Sequence, residues 1–401
     1  MHCVTNIHED LYWLGGSDRQ LAKFENVFPI PRGVSYNAYL VLDEKTVLLD
    51  TVDKAVGERF FENLEFALAG RSLDYVVVNH MEPDHCATLG DLLRRWPQVQ
   101  VVGNAKTVTM IGQFFNLDLT DRTVVVKEGD PLPPGRHTFT FLMAPMVHWP
   151  ETMVTYDNTD KTLFSADAFG TFGALNGNIF ADQVNFERDW LDDARRYYAN
   201  IVGKYGSQVQ SLLKRAADLE IQRICPLHGP IWRENIDWFV EKYQRWSTYT
   251  PEEKAVAIFC GSIYGHTENA AEILAFRLAE RGVKNVALYD VSNVDVSDLV
   301  SEAFRCSHLV LASATYNGGI YTPMEDFLRD LECHGLRNRS VAIIDNGTWA
   351  ARSGMLMSKI LEDMKEMRVM EGAVSLKSSV KEPQRRSLEA LADAIAGEIL
   401  H

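Results

Sequence analysis

Four side chains that could bind a metal ion fall within one short stretch, His80-Met81-Glu82-Pro83-Asp84-His85. This stretch directly follows the apolar run at 75–78, which predicts a β-strand that ends at the cluster. Side chains alternate across an extended segment, so we expect His80, Glu82 and Asp84 to share one side while His85 approaches from another. Imidazole and carboxylate groups are common ligands of iron and zinc. The pattern therefore predicts a metal site at the end of a strand.

Three later segments repeat this arrangement, because each is a hydrophobic run that leads to a candidate ligand. His148 follows residues 139–147, Asp167 follows residues 162–164, and His228 follows residues 223–226. A solvated polar loop would explain one such residue, but it does not explain all of them. The predicted ligands are four histidines and three carboxylates: His80, Glu82, Asp84, His85, His148, Asp167 and His228.

The order of these residues resembles the metallo-β-lactamase type of metal site, in which His-x-His-x-Asp-His is followed by His, Asp and His around two metal ions. In this chain Glu82 stands where that pattern has its second histidine. Mixed imidazole and carboxylate ligation suits redox iron, whereas imidazole-rich ligation suits zinc, although affinity alone does not exclude zinc. With Glu82 in place, the set is similar to the diiron centre of flavodiiron proteins.

Composition sets the limits for the rest of the chain. Its 401 residues, 46% hydrophobic and 24% charged, predict a soluble globular protein with two domains. A formal net charge of −15 argues against a nucleic-acid partner. The amino terminus has no signal-peptide pattern and no apolar run is long enough to span a membrane, so we expect a cytoplasmic protein without a membrane partner. Six scattered cysteines without a Cys-x-x-Cys pair predict neither a disulfide framework nor a rubredoxin module.

A domain boundary is predicted near residue 250. The polar, proline-containing stretch 247–254 separates a helix-like run at 238–246 from a strand-like run at 255–259. Short strands at 37–42 and 46–50, followed by helix-like segments, favour an α/β fold of the αββα sandwich type for residues 1–250. The first domain is therefore predicted as metallo-β-lactamase-like and the second as residues 251–401.

The second domain opens with a strand, a glycine- and hydroxyl-containing loop at 260–267, and a helix-like run from Glu268. Backbone N–H groups at the start of a helix, with the Ser262 and Thr267 hydroxyls, can bind a phosphate. The loop is neither a Gly-x-Gly-x-x-Gly fingerprint nor a Walker loop. Two further loops, 314–319 and 346–350, also follow predicted strands.

In a doubly wound parallel sheet, ligands bind at the carboxyl ends of the strands. The three loops resemble those of flavodoxins, which hold FMN there, and Tyr316 and Trp349 offer surfaces for the flavin ring. The candidate FMN residues are Ser262, Ile263, Tyr264, Gly265, His266, Thr267, Ala314, Thr315, Tyr316, Asn317, Gly318, Gly319, Asn346, Gly347, Thr348, Trp349 and Ala350.

The resemblance to flavodiiron proteins now covers nearly the whole chain. It implies an oxidoreductase that reduces O₂ to water, NO to N₂O, or both, with a preference for O₂ expected here. It also implies that one iron takes His80, Glu82 and His148, that the other takes Asp84, His85 and His228, and that Asp167 bridges them. In some members the equivalent of His85 turns away from the metal.

The chemistry explains why the family needs both centres. Reduction of O₂ to two waters takes four electrons, of which a diferrous pair can provide two and a reduced FMN the other two, whereas two NO molecules need only two. The family brings its centres together in a head-to-tail homodimer, or a dimer of dimers. Without an appended rubredoxin, we expect electrons from an external donor such as rubredoxin.

Two other classes of protein stay open at this point. A zinc-dependent hydrolase fused to a flavodoxin-like domain would need no redox change, and Glu82 and the flavin loops count against it. A non-enzymatic flavin electron carrier would be expected to lack metal ligands. Near the site, Trp149 and Glu151 are candidates for supporting the ligands. For Tyr197 and Tyr198 we expect core packing.

Overall fold

A computed structural model describes residues 2–401 of the chain, which form two compact units. Unit 1 takes the chain up to Tyr198 together with Ser207–Gln244, and unit 2 takes Ala199–Gly206 together with Arg245–His401. The first part of unit 1 contains β1 (Thr5–His8), β2 (Leu11–Trp13), β3 (Gly16–Asp18), β4 (Lys23–Phe24), β5 (Phe28–Pro29), β6 (Val34–Tyr36), β7 (Tyr39–Leu42), β8 (Thr46–Leu49), α1 (Gly57–Leu68), β9 (Tyr75–Val77), α2 (Pro83–Cys86), α3 (Leu89–Arg95), β10 (Gln100–Gly103), α4 (Ala105–Phe114) and β11 (Thr123–Val125).

The remaining elements up to residue 247 supply a second sheet and more helices. They are β12 (Pro131–Leu132), β13 (Phe139–Met143), β14 (Met153–Asp157), β15 (Thr162–Phe164), α5 (Phe186–Asp189), α6 (Leu191–Tyr197), α7 (Gly206–Ala216), β16 (Arg223–Cys225) and α8 (Ile236–Ser247). Short 3₁₀ turns lie at Lys54–Val56, Ala181–Gln183 and Gly203–Tyr205, and a π-helical turn lies at Tyr198–Val202.

Two main sheets form the framework of unit 1. One has the order β1-β2-β7-β8-β9-β10-β11 and the other has the order β12-β13-β14-β15-β16. In the second sheet β13, β15 and β16 run in the same direction, so their carboxyl ends meet at one edge. Side chains between the sheets are buried, with the Phe164 ring 5.5 Å from Tyr39 and 6.4 Å from Phe139. This buried layer fixes the strand ends that carry the predicted ligands.

Unit 2 contains β17 (Glu253–Gly261), α9 (His266–Glu280), β18 (Val286–Asp290), α10 (Val296–Arg305), β19 (Cys306–Tyr316), β20 (Gly319–Ile320), α11 (Thr322–Cys333), β21 (Arg339–Asn346), α12 (Ser353–Asp363), β22 (Met367–Val369), β23 (Val374–Leu376) and α13 (Glu382–Leu400). Its sheet has the order β18-β17-β19-β21-β22, and β23 also pairs with β21. The pairs in this path are parallel, which is the doubly wound arrangement of flavodoxins.

Helices cover both faces of this sheet. Ala270, Leu274 and Leu278 recur at every fourth position of α9, which turns one apolar face of the helix towards the sheet. Apolar residues of α13 complete the same core. On the other face Phe327 of α11 packs against Phe259, with ring centroids 4.4 Å apart. The carboxyl ends of the strands are left for the loops.

Some predicted boundaries differ from the structure. The run at 139–147 is a strand only to Met143, and the turn that follows includes a cis peptide bond between Val147 and His148. Pro83 begins the helical turn α2, so residues 80–85 do not form one extended segment. All six cysteines are free thiols. Within residues 2–401, no helix has the length and apolar character needed to cross a membrane.

Candidate metal centre and flavin pocket

The structure brings all seven predicted metal ligands together in unit 1. Six of them are at most 8% exposed, and Asp84 is half-buried. They form two adjacent groups: His80, Glu82, His148 and Asp167 in the first, and Asp84, His85 and His228 in the second. Asp84 thus lies with His85 rather than with His80 and Glu82, because the helical turn that starts at Pro83 rotates it away from them.

In the first group, the four side chains approach one another through their ring nitrogens and carboxylate oxygens. His148 Nε2 lies 2.9 Å from Glu82 Oε2 and 3.1 Å from Asp167 Oδ2. His80 Nε2 lies 3.2 Å from Glu82 Oε2. Two imidazoles and two carboxylates at such distances can surround one metal ion.

In the second group, two ring nitrogens face each other, since His85 Nε2 lies 3.1 Å from His228 Nε2. Asp84 Oδ2 is 3.2 Å from His228 Nε2 and 3.4 Å from His85 Nε2. Asp167 joins this group through its other oxygen, with Oδ1 3.1 Å from His85 Nε2. The Asp167 carboxylate therefore presents one oxygen to each group, which is the placement of a bridging ligand.

Buried carboxylate oxygens without hydrogen-bond partners indicate whether these residues fit metal ions. Among residues 2–401, both carboxylate oxygens of Asp84 and Oδ1 of Asp167 have no hydrogen-bond partner, although imidazole nitrogens lie within 3.4 Å. Buried carboxylates are normally paired or coordinate a metal. These carboxylate oxygens lie close to imidazole nitrogens but form no hydrogen bonds with them. Ligands around a metal ion are arranged in this way, so the residues fit two cations.

Outer contacts hold two of the histidine rings in place. His80 Nδ1 lies 2.8 Å from Glu151 Oε1, which also accepts a hydrogen bond from the Met81 backbone N–H at 2.8 Å. His228 Nδ1 donates to the Ser35 backbone carbonyl at 2.7 Å. Such contacts leave Nε2 free to bind a metal. His85 Nδ1 has no partner within the described chain, so this ring is the least restrained of the three.

Charge in the centre is balanced between carboxylates and imidazoles. Burial would lower the pKa of His148, but hydrogen bonds with Asp167 and Glu82 raise it to about 9. Burial would raise the pKa of Asp167, but the fields of His80 and His85 hold it well below its usual range. The Asp167 carboxylate is therefore ionised at neutral pH, as a metal ligand must be.

Aromatic side chains enclose the second group. The ring centroids of Phe24, Tyr36 and Tyr197 lie 5.3, 5.7 and 5.5 Å from that of His228. Phe172 in turn packs on Tyr197, with centroids 5.2 Å apart. This wall lowers the local dielectric constant and limits the access of water.

A cavity of about 810 Å³ lies at the carboxyl ends of the strands of unit 2. Its described lining consists of Ser262, Ile263, Tyr264, His266, Thr267, Ala314, Thr315, Tyr316, Asn317, Gly318, Asn346, Gly347, Thr348, Trp349, Ala350, Arg352 and Ser378. Of the predicted flavin residues, Gly265 and Gly319 do not line it: Gly265 is the turn before α9, with φ +84°, and Gly319 pairs with Tyr316 in β20. Arg352 and Ser378 were not predicted.

One end of the cavity is rich in hydroxyl and amide groups. Asn346 Nδ2 donates to Thr267 Oγ1 at 3.3 Å and to the Ser378 backbone carbonyl at 2.9 Å. The Ser378 hydroxyl donates to Thr348 Oγ1 at 3.0 Å. Thr267 lies in the first turn of α9, where backbone N–H groups favour an anion. This end suits a phosphate group.

Elsewhere the cavity has exposed aromatic surfaces. Tyr264 is 90% exposed and Trp349 is 92% exposed, whereas most aromatic side chains of the chain are buried. Large apolar side chains left in water next to a cavity mark a ligand or partner site. They offer stacking surfaces for a planar ring, so the cavity as a whole suits a flavin mononucleotide.

The fold and the two sites define a class of protein, in which a metallo-β-lactamase-like metal domain is joined to a flavodoxin-like domain. Residues 34–229 match the family described as ODP family beta lactamase. An uncharacterized protein of Methanocaldococcus jannaschii is 31% identical over 332 residues, 82% of each chain. The anaerobic nitric oxide reductase flavorubredoxin of Aliivibrio fischeri is 30% identical over 348 residues, which is 84% of this chain and 68% of that protein.

Solved structures agree over the full length. The rubredoxin oxygen:oxidoreductase of Desulfovibrio gigas matches with a TM-score of 0.90 at 28% identity, covering 99% of this chain and 98% of that one. The chain belongs to the flavodiiron protein family and is an oxidoreductase. The predicted fold class is confirmed.

Several residues that hold the proposed ligands in place were not predicted from the sequence. Asp50 accepts hydrogen bonds from the Asn79 backbone and side chain at 2.7 Å each and so holds the segment before His80. The Ser35 carbonyl that fixes His228 lies 193 positions away in sequence. Neither residue stands in a motif. The only available signal for Asp50 was its place at a strand end, after β8.

Proposed function

We propose that this flavodiiron oxidoreductase reduces dioxygen to water at two non-haem irons, with FMN relaying the electrons. The observation that carries the proposal is the Asp167 carboxylate, whose two oxygens face two separate groups of buried ligands. A mixed set of imidazoles and carboxylates suits iron that changes its oxidation state. His80, Glu82 and His148 would hold one iron, and Asp84, His85 and His228 the other.

Bound iron would supply a binding site for the diatomic gas and electrons for its reduction, and bound FMN would supply further electrons. The protein's own residues orient and shield this chemistry. Glu151 and the Ser35 carbonyl keep the rings of His80 and His228 aimed inward. The aromatic wall around His228 excludes water from the reacting gas.

Ser262, Thr267 and Ser378 are the proposed phosphate-binding residues of FMN, supported by their place at the hydroxyl-rich end of the cavity. Tyr264, Tyr316 and Trp349 are proposed to contact the flavin ring, since they form the aromatic part of the lining. Arg352 adds a positive charge to a lining that holds no aspartate or glutamate among its described residues.

Nitric oxide is the second candidate substrate. It is favoured by the relatives named anaerobic nitric oxide reductase flavorubredoxin, whereas the similar structure from Desulfovibrio gigas is named a rubredoxin oxygen:oxidoreductase. Both gases need the same ligands, so the ligand set does not separate them.

The deciding experiment starts from fully reduced protein under anaerobic conditions. It is mixed with O₂ or with NO, and flavin reoxidation is followed by stopped-flow absorbance, which bypasses the physiological donor. Fast and repeatable reoxidation by O₂ supports the proposal. Efficient N₂O formation from NO, with inactivation by O₂, would replace it by nitric oxide reduction.

Metal analysis separates the other classes. We expect two irons and one FMN per chain; zinc would indicate a hydrolase, and flavin without metal a simple electron carrier. Glu82→Ala removes an oxygen that lies 2.9 Å from His148 Nε2. It should lower iron content and abolish gas reduction while FMN stays bound, and unchanged turnover would discredit the site.

We further propose an external donor such as rubredoxin, a head-to-tail homodimer or dimer of dimers, and a cytoplasmic location. Relatives named for rubredoxin support the donor. Six free thiols suit a reducing compartment. The domain limits 1–250 and 251–401 likewise stay proposals; the two compact units, which divide after Gln244, support them.

A further inference from the structure

A short hairpin of unit 1 reaches from the surface to the metal centre. It consists of β4 and β5, in which Phe24 pairs with Phe28. Phe24 is buried, and the centroid of its ring lies 5.3 Å from that of His228. The hairpin is therefore anchored beside a proposed ligand, and the residue that follows Phe24 lies close to the centre.

The tip of this hairpin has a strained backbone. The Val27 N–H donates to the Phe24 carbonyl at 3.0 Å, and the two residues between them have positive φ angles, +49° at Glu25 and +59° at Asn26. Turns with two positive φ angles favour Gly, Asn and Asp, so Asn26 suits its position. A glutamate in the left-handed region costs about 1–2 kcal/mol. Such strain clusters at functional sites, so the Glu25 side chain is a candidate for a function.

The carboxyl end of Glu25 reaches a proposed metal ligand. The residue is exposed at the hairpin tip, but its carboxyl group is hydrogen-bonded to that of Glu82 and lies in the fields of His148 and Asp84. Burial of this carboxyl group and the charge of Glu82 raise the pKa of Glu25 to about 8. Two carboxyl groups in contact need a cation between them, either a proton or a metal ion.

The contact has the spacing of two neighbouring ligands of one ion. Oxygens at adjacent positions of an octahedral ion, each about 2.1 Å from it, lie about 3 Å apart, which is also the length of a hydrogen bond. Glu25 approaches Glu82 from the solvent side and is not one of the four side chains whose ligand atoms converge within 4.8 Å. Its side chain must therefore turn inward to reach an ion that Glu82 binds.

Charge favours this movement once the centre holds iron. Two ferric ions carry six positive charges, and the three carboxylates of the centre, Glu82, Asp84 and Asp167, return three. The remaining positive charge attracts a nearby carboxyl group and releases its proton, as metal binding does for other ligands. Glu25 is the carboxyl group that already contacts one of these three.

We propose that Glu25 binds the iron held by His80, Glu82 and His148 in the absence of gas, and that an incoming gas or anion displaces it. The assignment rests on the proposed function. An exposed hairpin tip suits a ligand that leaves and returns, whereas the seven predicted ligands lie on strand ends and on α2 and are largely buried. Glu25 thus closes the first group of ligands to water and small anions until the substrate takes its place.

The test compares Glu25→Gln with Glu65→Gln in the iron- and FMN-loaded protein. Glutamine has the size of glutamate and keeps a hydrogen-bond donor for Glu82, but its neutral amide is a poor ligand of ferric iron. Glu65 pairs with Arg95 on the surface, so E65Q reports the loss of one charge alone. Mössbauer spectroscopy of the oxidised, gas-free protein observes the two irons separately, and azide titration measures how easily the centre takes an anion.

We expect E25Q to change the Mössbauer signal of one iron and to leave that of the other, because Glu25 contacts only one group of ligands. Azide should bind E25Q more tightly than the wild type, by roughly tenfold if Glu25 occupies its position about nine-tenths of the time. E65Q should match the wild type in both measurements. Unchanged iron signals in E25Q would overturn the proposal, since a hydrogen bond to Glu82 would then be all that Glu25 provides. An azide affinity that does not rise would overturn it as well.

Should E25Q fail to hold both irons, the wild-type protein decides. A crystal structure of its iron-loaded, gas-free form is expected to place a Glu25 oxygen about 2.1 Å from one iron. A separation greater than about 3 Å from both irons overturns the assignment.

Failure of the proposed function would look different. A wild-type protein that binds two irons and azide, but reduces neither O₂ nor NO, would refute the reaction. The Mössbauer and azide series would still decide the role of Glu25.

Discussion

Glu151 is a buried carboxylate that contacts a proposed metal ligand without belonging to the ligand set. Its Oε1 atom lies 2.8 Å from His80 Nδ1 and accepts from the Met81 backbone N–H at 2.8 Å. A carboxylate on the far nitrogen fixes the tautomer of the ring and makes Nε2 a stronger ligand. We therefore predict that Glu151→Gln, which removes the charge but keeps the shape, lowers iron affinity by roughly tenfold.

Competition with an iron chelator measures that affinity, and Glu65→Gln is the control. Glu65 pairs with Arg95 on the surface, where its side chain is 58% exposed. Iron binding in the control should equal that of the wild type. Equal retention of iron by E151Q would show that Glu151 only packs beside His80.

His137 is a buried histidine away from the metal centre, and it predicts a pH dependence of stability. Its Nδ1 lies 2.6 Å from Asp157 Oδ2 and its Nε2 lies 3.1 Å from Asp10 Oδ1. Burial would lower the pKa of His137, but these two carboxylates raise it to about 9. The Arg136 guanidinium, 2.9 Å from Nε2, opposes the charge but is itself held by Asp10.

Because the folded pKa of His137 lies above the ordinary 6.5, its contribution to stability is complete below about 6.5 and is lost as the pH rises to about 9. Urea unfolding near pH 6 and near pH 9.5 measures this, with His137→Gln as the reference. We expect the variant to be less stable than the wild type by on the order of 1–2 kcal/mol at the lower pH and by much less at the higher. An equal difference at both values would contradict the prediction.

The seven proposed metal ligands, which the structure brings together, could be selected from the sequence because their pattern is local. His80 to His85 stand together, and each later ligand follows a hydrophobic run. Their supporting contacts could not be found in this way. Ser35 fixes His228 across 193 positions through a backbone carbonyl, and any residue type supplies a carbonyl.

At the scale of elements, Arg339 ties the end of a helix to the start of a strand in unit 2. Its guanidinium donates to the carbonyls of Ala303 at 2.9 Å and Phe304 at 2.6 Å, near the end of α10, and to that of Tyr249 at 2.7 Å. The side chain is 2% exposed. The last carbonyls of a helix have no N–H partner within it, so the arginine caps those of Ala303 and Phe304.

Arg339→Met would remove the hydrogen bonds that the guanidinium donates to these buried carbonyls. We predict a loss of about 3 kcal/mol in the stability of unit 2, comparable with breaking a buried hydrogen-bond network. Flavin fluorescence released on heating reports the unfolding of this unit. Arg386→Met, at a side chain that is 77% exposed, should leave the transition in place. If R339M released its flavin at the same temperature as the wild type, water would have replaced the guanidinium as the hydrogen-bond donor.

The type of an element, helix or strand, was predicted more accurately than the residues at which it begins and ends. The parallel strands of unit 2 are continuous apolar runs, as buried strands covered on both faces must be, so β17, β19 and β21 were recognisable. The hydrophobic run at 139–147 extends beyond the strand that it predicted, because the pairing of β13 with β14 ends at Met143 while the apolar residues continue. The strand was predicted to end at the ligand cluster, but Pro83 also starts a helical turn there, which places Asp84 in the second ligand group.

At the scale of the molecule, exposed apolar surface collects around the flavin cavity. Tyr264 and Trp349, which line it, are 90% and 92% exposed, and Tyr316 is 47% exposed. In a chain with a net charge of −15, such a patch favours a partner that covers it through apolar contact. The proposed head-to-tail homodimer supplies that partner, and it makes each active unit from the flavin of one chain and the metal centre of the other.

Mixing two inactive variants tests this assembly directly. His228→Ala removes a ligand of the metal centre, and Ser262→Asp places a negative charge where the FMN phosphate is proposed to bind. If electrons pass between chains, a mixed dimer contains one intact pair of centres. Random pairing of equal amounts makes half of the dimers mixed, each with one of two pairs working, so we predict about a quarter of wild-type activity.

The two proteins are co-expressed, or unfolded and refolded together, so that mixed dimers can form. Each variant alone should be inactive, and the H228A protein should keep its flavin while the S262D protein keeps its iron. A mixture that stays inactive, although mass spectrometry shows mixed dimers, would place electron transfer within one chain. Recovery near a quarter would make the dimer the catalytic unit, since neither chain then contains a working pair of its own.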